Sequence, residues 1–170
     1  MRIWLAMMVA ALPAGVAAAE PPLPQGLMLL KGCWRGAGEV EGKPVTMTMA
    51  AQPAALDALL LVDADSAAVD DAGDRHVAHL VFAGDGKPGQ GVTGFWADSF
   101  GGGYTATGRG KAGPDGFDIT YAYPDAAYIN EWRVAANRLE WRIFARGSQG
   151  SVSIFARYAL TKTPCPASAG

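Results

Sequence analysis

From residue 32 to residue 161, apolar and polar side chains alternate with a period of two, in short segments separated by turn-forming residues. That period buries one face of a strand and leaves the other to solvent. Ten strands are predicted, over residues 32–40, 44–51, 58–67, 76–83, 92–99, 103–111, 117–123, 128–135, 138–146 and 151–161. The later ones alternate most cleanly. Leu139, Trp141, Ile143 and Ala145 oppose Glu140, Arg142, Phe144 and Arg146, and Asn130, Trp132 and Val134 oppose Glu131 and Arg133. In the last strand Val152, Ile154, Ala156, Tyr158 and Leu160 are expected inside, with Ser153, Phe155 and Arg157 outside.

The segments between strands hold Gly, Pro, Asn and Asp, which preset turns or tolerate a positive φ. Pro21, Pro22 and Pro24 keep the lead-in extended. Residues 27–31 can then form one helical turn that plugs a barrel end. A second short helix is possible over 53–57, where Pro53 suits a first turn and good helix formers follow. No helical crossover interrupts the strands, so the expected fold is all-β: a single antiparallel up-and-down barrel of about ten strands, closed so that no edge stays exposed.

The chain before the first strand changes where this barrel is expected to reside. Met1 and Arg2 are followed by 14 apolar residues, 3–16, and by Ala17-Ala18-Ala19, which reads as a secretory signal over 1–19. The barrel domain would then occupy 20–170. No stretch reaches the ~18 apolar residues of a spanning helix, so no integral membrane segment is expected and the location is periplasmic or secreted. Loss of Arg2 leaves 13 basic against 16 acidic residues, a net charge of −3, which attracts neither nucleic acid nor an anionic membrane. The sequence carries no indication of oligomeric state. Its two cysteines, Cys33 and Cys165, show no metal-like spacing, and in an oxidising compartment they favour a disulfide. Closing a 132-residue loop is worth roughly 4 to 5 kcal/mol in the chain-entropy treatment.

The run Gly32-Cys33-Trp34-Arg35-Gly36-Ala37-Gly38 resembles the first-strand motif of the calycin superfamily, in the Gly-x-Trp-x-Gly-x-Gly form of nitrobindin-like and other bacterial lipocalin-like barrels. The ten-strand count is similar to the fatty-acid-binding and nitrobindin branches. The resemblance implies that Gly32 and Trp34 open the barrel, that Arg157 covers the Trp34 indole from the last strand, and that Cys33 points the other way toward Cys165. It also implies a cavity for a small apolar or amphipathic molecule. Nitrobindin-like members hold a haem through a histidine near the chain end. The histidines here are His76 and His79, far from the last two strands, and no cofactor is assigned.

Candidate chemistry is sparse. His76 and His79 fall on opposite faces of a strand and cannot share a metal; one can point inward and hydrogen-bond a tyrosine. Asp63 and Asp65 share a face and read, with Asp70, Asp71 and Asp74, as a solvated acidic hairpin. Two G-x-G-x-x-G stretches, 84–89 and 108–113, lead into turns and strands, not the helix a dinucleotide fingerprint needs. Ser99 has no legible base or nucleophile elbow. No acid, base or nucleophile constellation stands out, and an enzyme is the less favoured reading.

The aromatic residues fit either a filled core or a pocket wall, because ten strands enclose more space than the eight that side chains just fill. Trp96, Tyr121, Tyr123, Trp132 and Trp141 are the candidate wall. Arg133 or Arg142 would meet an anionic ligand if the charged face turned inward.

Overall fold

A computed structural model describes residues 23–86 and 90–166; the signal expected over 1–19 lies outside them. Ten strands, β1 (Gly32–Val40), β2 (Lys43–Ala54), β3 (Leu59–Ala68), β4 (Arg75–Gly84), β5 (Gly91–Asp98), β6 (Ala106–Gly113), β7 (Gly116–Ala122), β8 (Ala126–Ala135), β9 (Arg138–Gly147) and β10 (Val152–Thr163), form one closed antiparallel barrel. Each strand pairs with its neighbours in sequence, and β1 pairs with β10 to close the ring. The short helix α1 (Gln25–Met28) precedes β1, and Leu23, Leu27 and Leu30 are buried around it. They cap a packed layer of Leu60, Phe82, Phe117, Trp132, Leu139 and Leu160 in one continuous apolar core, so this end of the barrel is filled.

The indole of Trp34 donates to the Leu30 carbonyl at 2.7 Å, which ties the plug to β1. The residue covering Trp34 is Lys162, whose ammonium lies 5.3 Å from the ring centroid, and not Arg157. Register explains the correction: Trp34 lies opposite Lys162, whereas Arg157 lies opposite Glu39 and pairs with its carboxylate at 2.8 Å on the outer wall. Five residues of strand separate the two cations, roughly 17 Å along β10. Cys33 and Cys165 are disulfide-bonded; Cys33 pairs in register with Thr163, so the bridge fastens the chain just past β10 to β1.

Three local expectations differ. No helix forms over 53–57. The pairing of β2 with β3 runs out to Ala54 opposite Leu59, and the reversal passes through Ala55, Leu56 and Asp57 in the left-handed region, with φ of 50°, 57° and 64°. Hairpin closure in four residues overrides their helix propensity. Residues 102–104 make a 3-10 turn, and β6 starts only at Ala106, because Gly101 at φ 92° redirects the chain. In β10 the register slips between Ile154 and Ala156. That bulge reverses the alternation, so Val152 and Ile154 are exposed and Phe155 packs inward.

Among the described residues no helix is long and apolar enough to cross a membrane.

Candidate functional site

The half of the barrel away from α1 encloses a cavity of about 760 Å³, within the range of small-molecule sites. Strand alternation decides what lines it. On β2 the inward residues are Val45 and Met47; on β3, Ala64, Ser66 and Ala68; on β4, His76 and Ala78; on β5, Trp96 and Asp98. Tyr121 and Tyr123 come from the end of β7, Tyr128 and Asn130 from β8, Trp141 and Ile143 from β9, and Phe155 and Tyr158 from β10. The mouth lies among the loops carrying Glu41, Asp74, Phe100, Tyr104 and Asp125.

The floor is aromatic. Trp141 stacks on Trp132 with centroids 4.0 Å apart and planes 15° apart, and Trp132 stacks in turn on Phe117. Trp96 and Tyr158 lean on Trp141 at 6.1 and 5.0 Å. Tyr121 packs edge-on to Trp96 at 5.7 Å, its ring laid across β6 and β5. Two glycines make that possible: a Cβ on Gly108 would stand 2.7 Å from the Tyr121 ring, and one on Gly94 would stand 2.7 Å from its hydroxyl. The hydroxyl is buried there with no hydrogen-bond partner among the described residues. Burial, and then the nearby Tyr123, push its ionisation well above the ordinary tyrosine value.

A few polar groups interrupt this wall, each satisfied locally. Asn130 is buried and accepts the Trp141 indole N–H at 2.9 Å. Ser66 reaches the His76 carbonyl at 3.4 Å and also bonds the Tyr158 phenol. Burial pushes the Tyr158 phenol up to about 12, with the Ser66 bond opposing. Tyr123 donates to the Tyr104 carbonyl at 2.9 Å, fixing the mouth loop to β7's end, and Tyr128 packs edge-on to both Tyr123 and Phe155.

Asp98 is the most enclosed charge of the cavity. Its side chain is only 7% exposed; one oxygen accepts the Trp96 indole N–H at 2.7 Å and the other the Phe100 backbone N–H at 2.9 Å. His76 Nε2 stands 3.4 Å from the same carboxylate, and the imidazole lies against the Trp96 and Phe100 rings at 6.4 and 5.3 Å. A carboxylate and an imidazole are thereby held beside the Trp96 and Phe100 rings.

Trp96, Tyr121, Tyr123 and Trp141 thus meet around the cavity, as their strands' alternation implies. Trp132 does not reach it, because it forms the layer beneath Trp141. Arg133 and Arg142 lie on the outer face: Arg142 pairs with Glu131 at 2.8 Å, and Arg133 pairs with Asp118 at 2.6 Å while donating to the Phe117 and Trp132 carbonyls. With Trp132 and Trp141 inward, their neighbours in sequence must point out. The histidines divide as expected, His76 inward and His79 outward onto Asp63, but the inward partner is a carboxylate and not a tyrosine. The pairing of His76 with Asp98 escapes a sequence reading, although each shares parity with recognisable inward residues, His76 with Leu80 and Phe82, Asp98 with Trp96.

Among solved structures, the chain is similar to the crystal structure of Rv2717c from M. tuberculosis, with a TM-score of 0.65 and 16% identity over 82% of this chain and 96% of that one. It is also similar to the S-type phycobiliprotein lyase CPES from Guillardia theta, with a TM-score of 0.57 and 14% identity over 84% of this chain and 93% of that one. No family model and no curated protein matches the sequence. At these identities the likeness is one of fold alone.

Proposed function

We propose that this chain is an exported relative of the bacterial lipocalin-like barrels that holds a small apolar or amphipathic molecule in its cavity without transforming it. One observation carries the reading. A barrel plugged at one end by α1 leaves, at the other, about 760 Å³ walled by Trp96, Trp141, Tyr128 and Tyr158. Such a wall removes apolar ligand surface from water at roughly 25 cal/mol per Å² and orients it through a few polar tips. A filled structural barrel would not keep this space open. The Cys33–Cys165 bridge is compatible with export, as is the signal-like segment over 1–19. The fold likeness to a phycobiliprotein lyase is compatible with ligand binding in general.

Titration of fatty acids, haem and neutral hydrophobic dyes against tryptophan fluorescence tests the proposal, since Trp96 and Trp141 stand at the wall. Saturable quenching with a thermal shift is expected for at least one of them. No quenching and no shift with any of them would sink it.

An enzymatic reading has one observation behind it, the His76 and Asp98 pair at 3.4 Å. Of the nearby hydroxyls, Ser66 is turned onto the His76 carbonyl and Ser99 onto the Val77 N–H, so neither stands as a nucleophile for the imidazole.

A further inference from the structure

The net charge of the cavity lining is negative. Among its lining residues four carboxylates, Glu41, Asp74, Asp98 and Asp125, stand against one ammonium, Lys43, which leaves −3 with His76 counted as neutral. Lys43 is itself taken up by Asp74. Among the described residues no guanidinium lines the cavity, and the two arginines that would have met an anionic group, Arg133 and Arg142, are on the outer wall. The same end carries Asp70 and Asp71, whose charges also reach Lys43. An anionic head group approaching this mouth meets like charge and, among the described lining residues, no cation other than the paired Lys43.

The innermost of these carboxylates is set where an ammonium would be recognised. Asp98 is nearly enclosed and fixed through both oxygens, one by the Trp96 indole N–H and the other by the Phe100 backbone N–H. Its charge is felt at the mouth as well: the Tyr123 phenol is raised above its ordinary range by burial first and by Asp98 second. The carboxylate attracts a cation by charge, and the enclosure weakens screening by water; the Trp96 and Phe100 rings lie against His76, whose Nε2 stands 3.4 Å from the same carboxylate, and offer their faces to an ammonium that takes the imidazole's place. Below it the floor of Trp141 and Ile143 offers only apolar contact.

Resting on the reading of the cavity as a ligand site, we propose that it selects a cationic amphiphile: an amine or quaternary ammonium held at Asp98 beside Trp96 and Phe100, with the apolar body on Trp141. Anionic amphiphiles of the same length are rejected at the mouth.

The experiment compares three dodecyl probes that differ only in head group, dodecylammonium, dodecanol and dodecanoate, below their micellar concentrations, by calorimetry and tryptophan quenching. Dodecylammonium is expected to bind about tenfold or more tighter than dodecanoate at low salt, since a unit charge pair at close range and intermediate dielectric exceeds that ratio. Dodecanol is expected to fall between them. The gap should narrow as salt rises, and Asp98→Asn should reduce it. Because Asp98 is packed, Glu41→Gln and Asp125→Asn at the exposed mouth serve as a second pair that folds independently of it; each should narrow the gap several-fold less. Dodecanoate binding as tightly as dodecylammonium, or an unchanged gap in all three variants, overturns the charge selectivity and leaves the binding site standing. Failure of all three probes to bind overturns the site, and the selectivity with it.

Discussion

Filling the cavity from its floor gives a test in which the sign of the effect decides. Ala64 on β3 lines the cavity, opposite Ala78 on β4, and both are small and buried. Ala64→Leu adds three carbons, each worth ~0.8 kcal/mol if fully buried. With Met49 and Ala78 as its cross-strand neighbours and open space in front, the new side chain should realise about half of that, or roughly 1 kcal/mol of stabilisation. The alternative is equally definite. If the interior were already packed to native density, the same substitution would force neighbours off their rotamers and cost about 1 to 3 kcal/mol. Thermal unfolding distinguishes the two, because in a domain of this size 1 kcal/mol moves Tm by roughly 2 to 4 °C. The expected result is a Tm equal to or above that of the parent, together with weakened uptake of any probe the parent binds. A drop of several degrees with far-ultraviolet circular dichroism unchanged would refute the open cavity.

Three further outcomes are expected. Tyr121→Phe should raise stability by about 1 kcal/mol in denaturant unfolding, because it removes a buried hydroxyl without a partner while the ring stays on Gly94 and Gly108; a loss of that size would show that the hydroxyl is bonded after all. Lys162→Ala should cost about 0.5 to 1 kcal/mol through the lost contact with Trp34, and Arg157→Ala no more than about 0.5, since its ion pair with Glu39 is exposed; the reverse order in urea midpoints would reinstate Arg157 as the closing cation. Tyr158 should make the fold alkali-sensitive: its folded value of about 12 lies above the ordinary 10.0, so the folded state holds its proton longer, and stability present below pH 10 is lost as pH rises toward 12. Two pKa units are worth about 2.7 kcal/mol at most, and Tyr158→Phe should flatten the slope of stability against pH in that window.

The barrel was legible because alternation survives any error in strand ends. Leu139, Trp141 and Ile143 against Glu140 and Arg142 read the same whichever residue begins β9, and ten such segments without a crossover leave little but a closed meander. Register was less legible, since sliding a strand by two residues preserves its pattern. Parity nonetheless excluded Arg157 from the inner face, where Tyr158, Leu160 and Lys162 belong. The bulge at Ile154 to Ala156 has no glycine or proline to announce it, and it turned Phe155 into a cavity residue. The turn through Ala55, Leu56 and Asp57 was hidden for a similar reason: three helix-compatible residues took left-handed conformations that only the pairing on either side imposes.

The site was half legible. Aromatic residues on the inner face announce a wall, and Trp96, Tyr121, Tyr123 and Trp141 follow from it. Whether Trp132 lies in the wall or beneath it depends on how far the plug fills the barrel, which is a three-dimensional quantity. The approach of His76 to Asp98 depends on two strands meeting through the β4 and β5 register, and the charge of the mouth depends on loops from four different hairpins.

The indole N–H resonances of the four tryptophans between residues 20 and 170 provide the most direct test of the cavity as a ligand site. During titration with dodecylammonium or a neutral hydrophobic dye, Trp96 and Trp141 should shift in a saturable manner, Trp132 less, and Trp34 at the plugged end not at all. Binding that moves Trp34 while leaving Trp96 and Trp141 in place, or no movement of any indole with every probe, would contradict it.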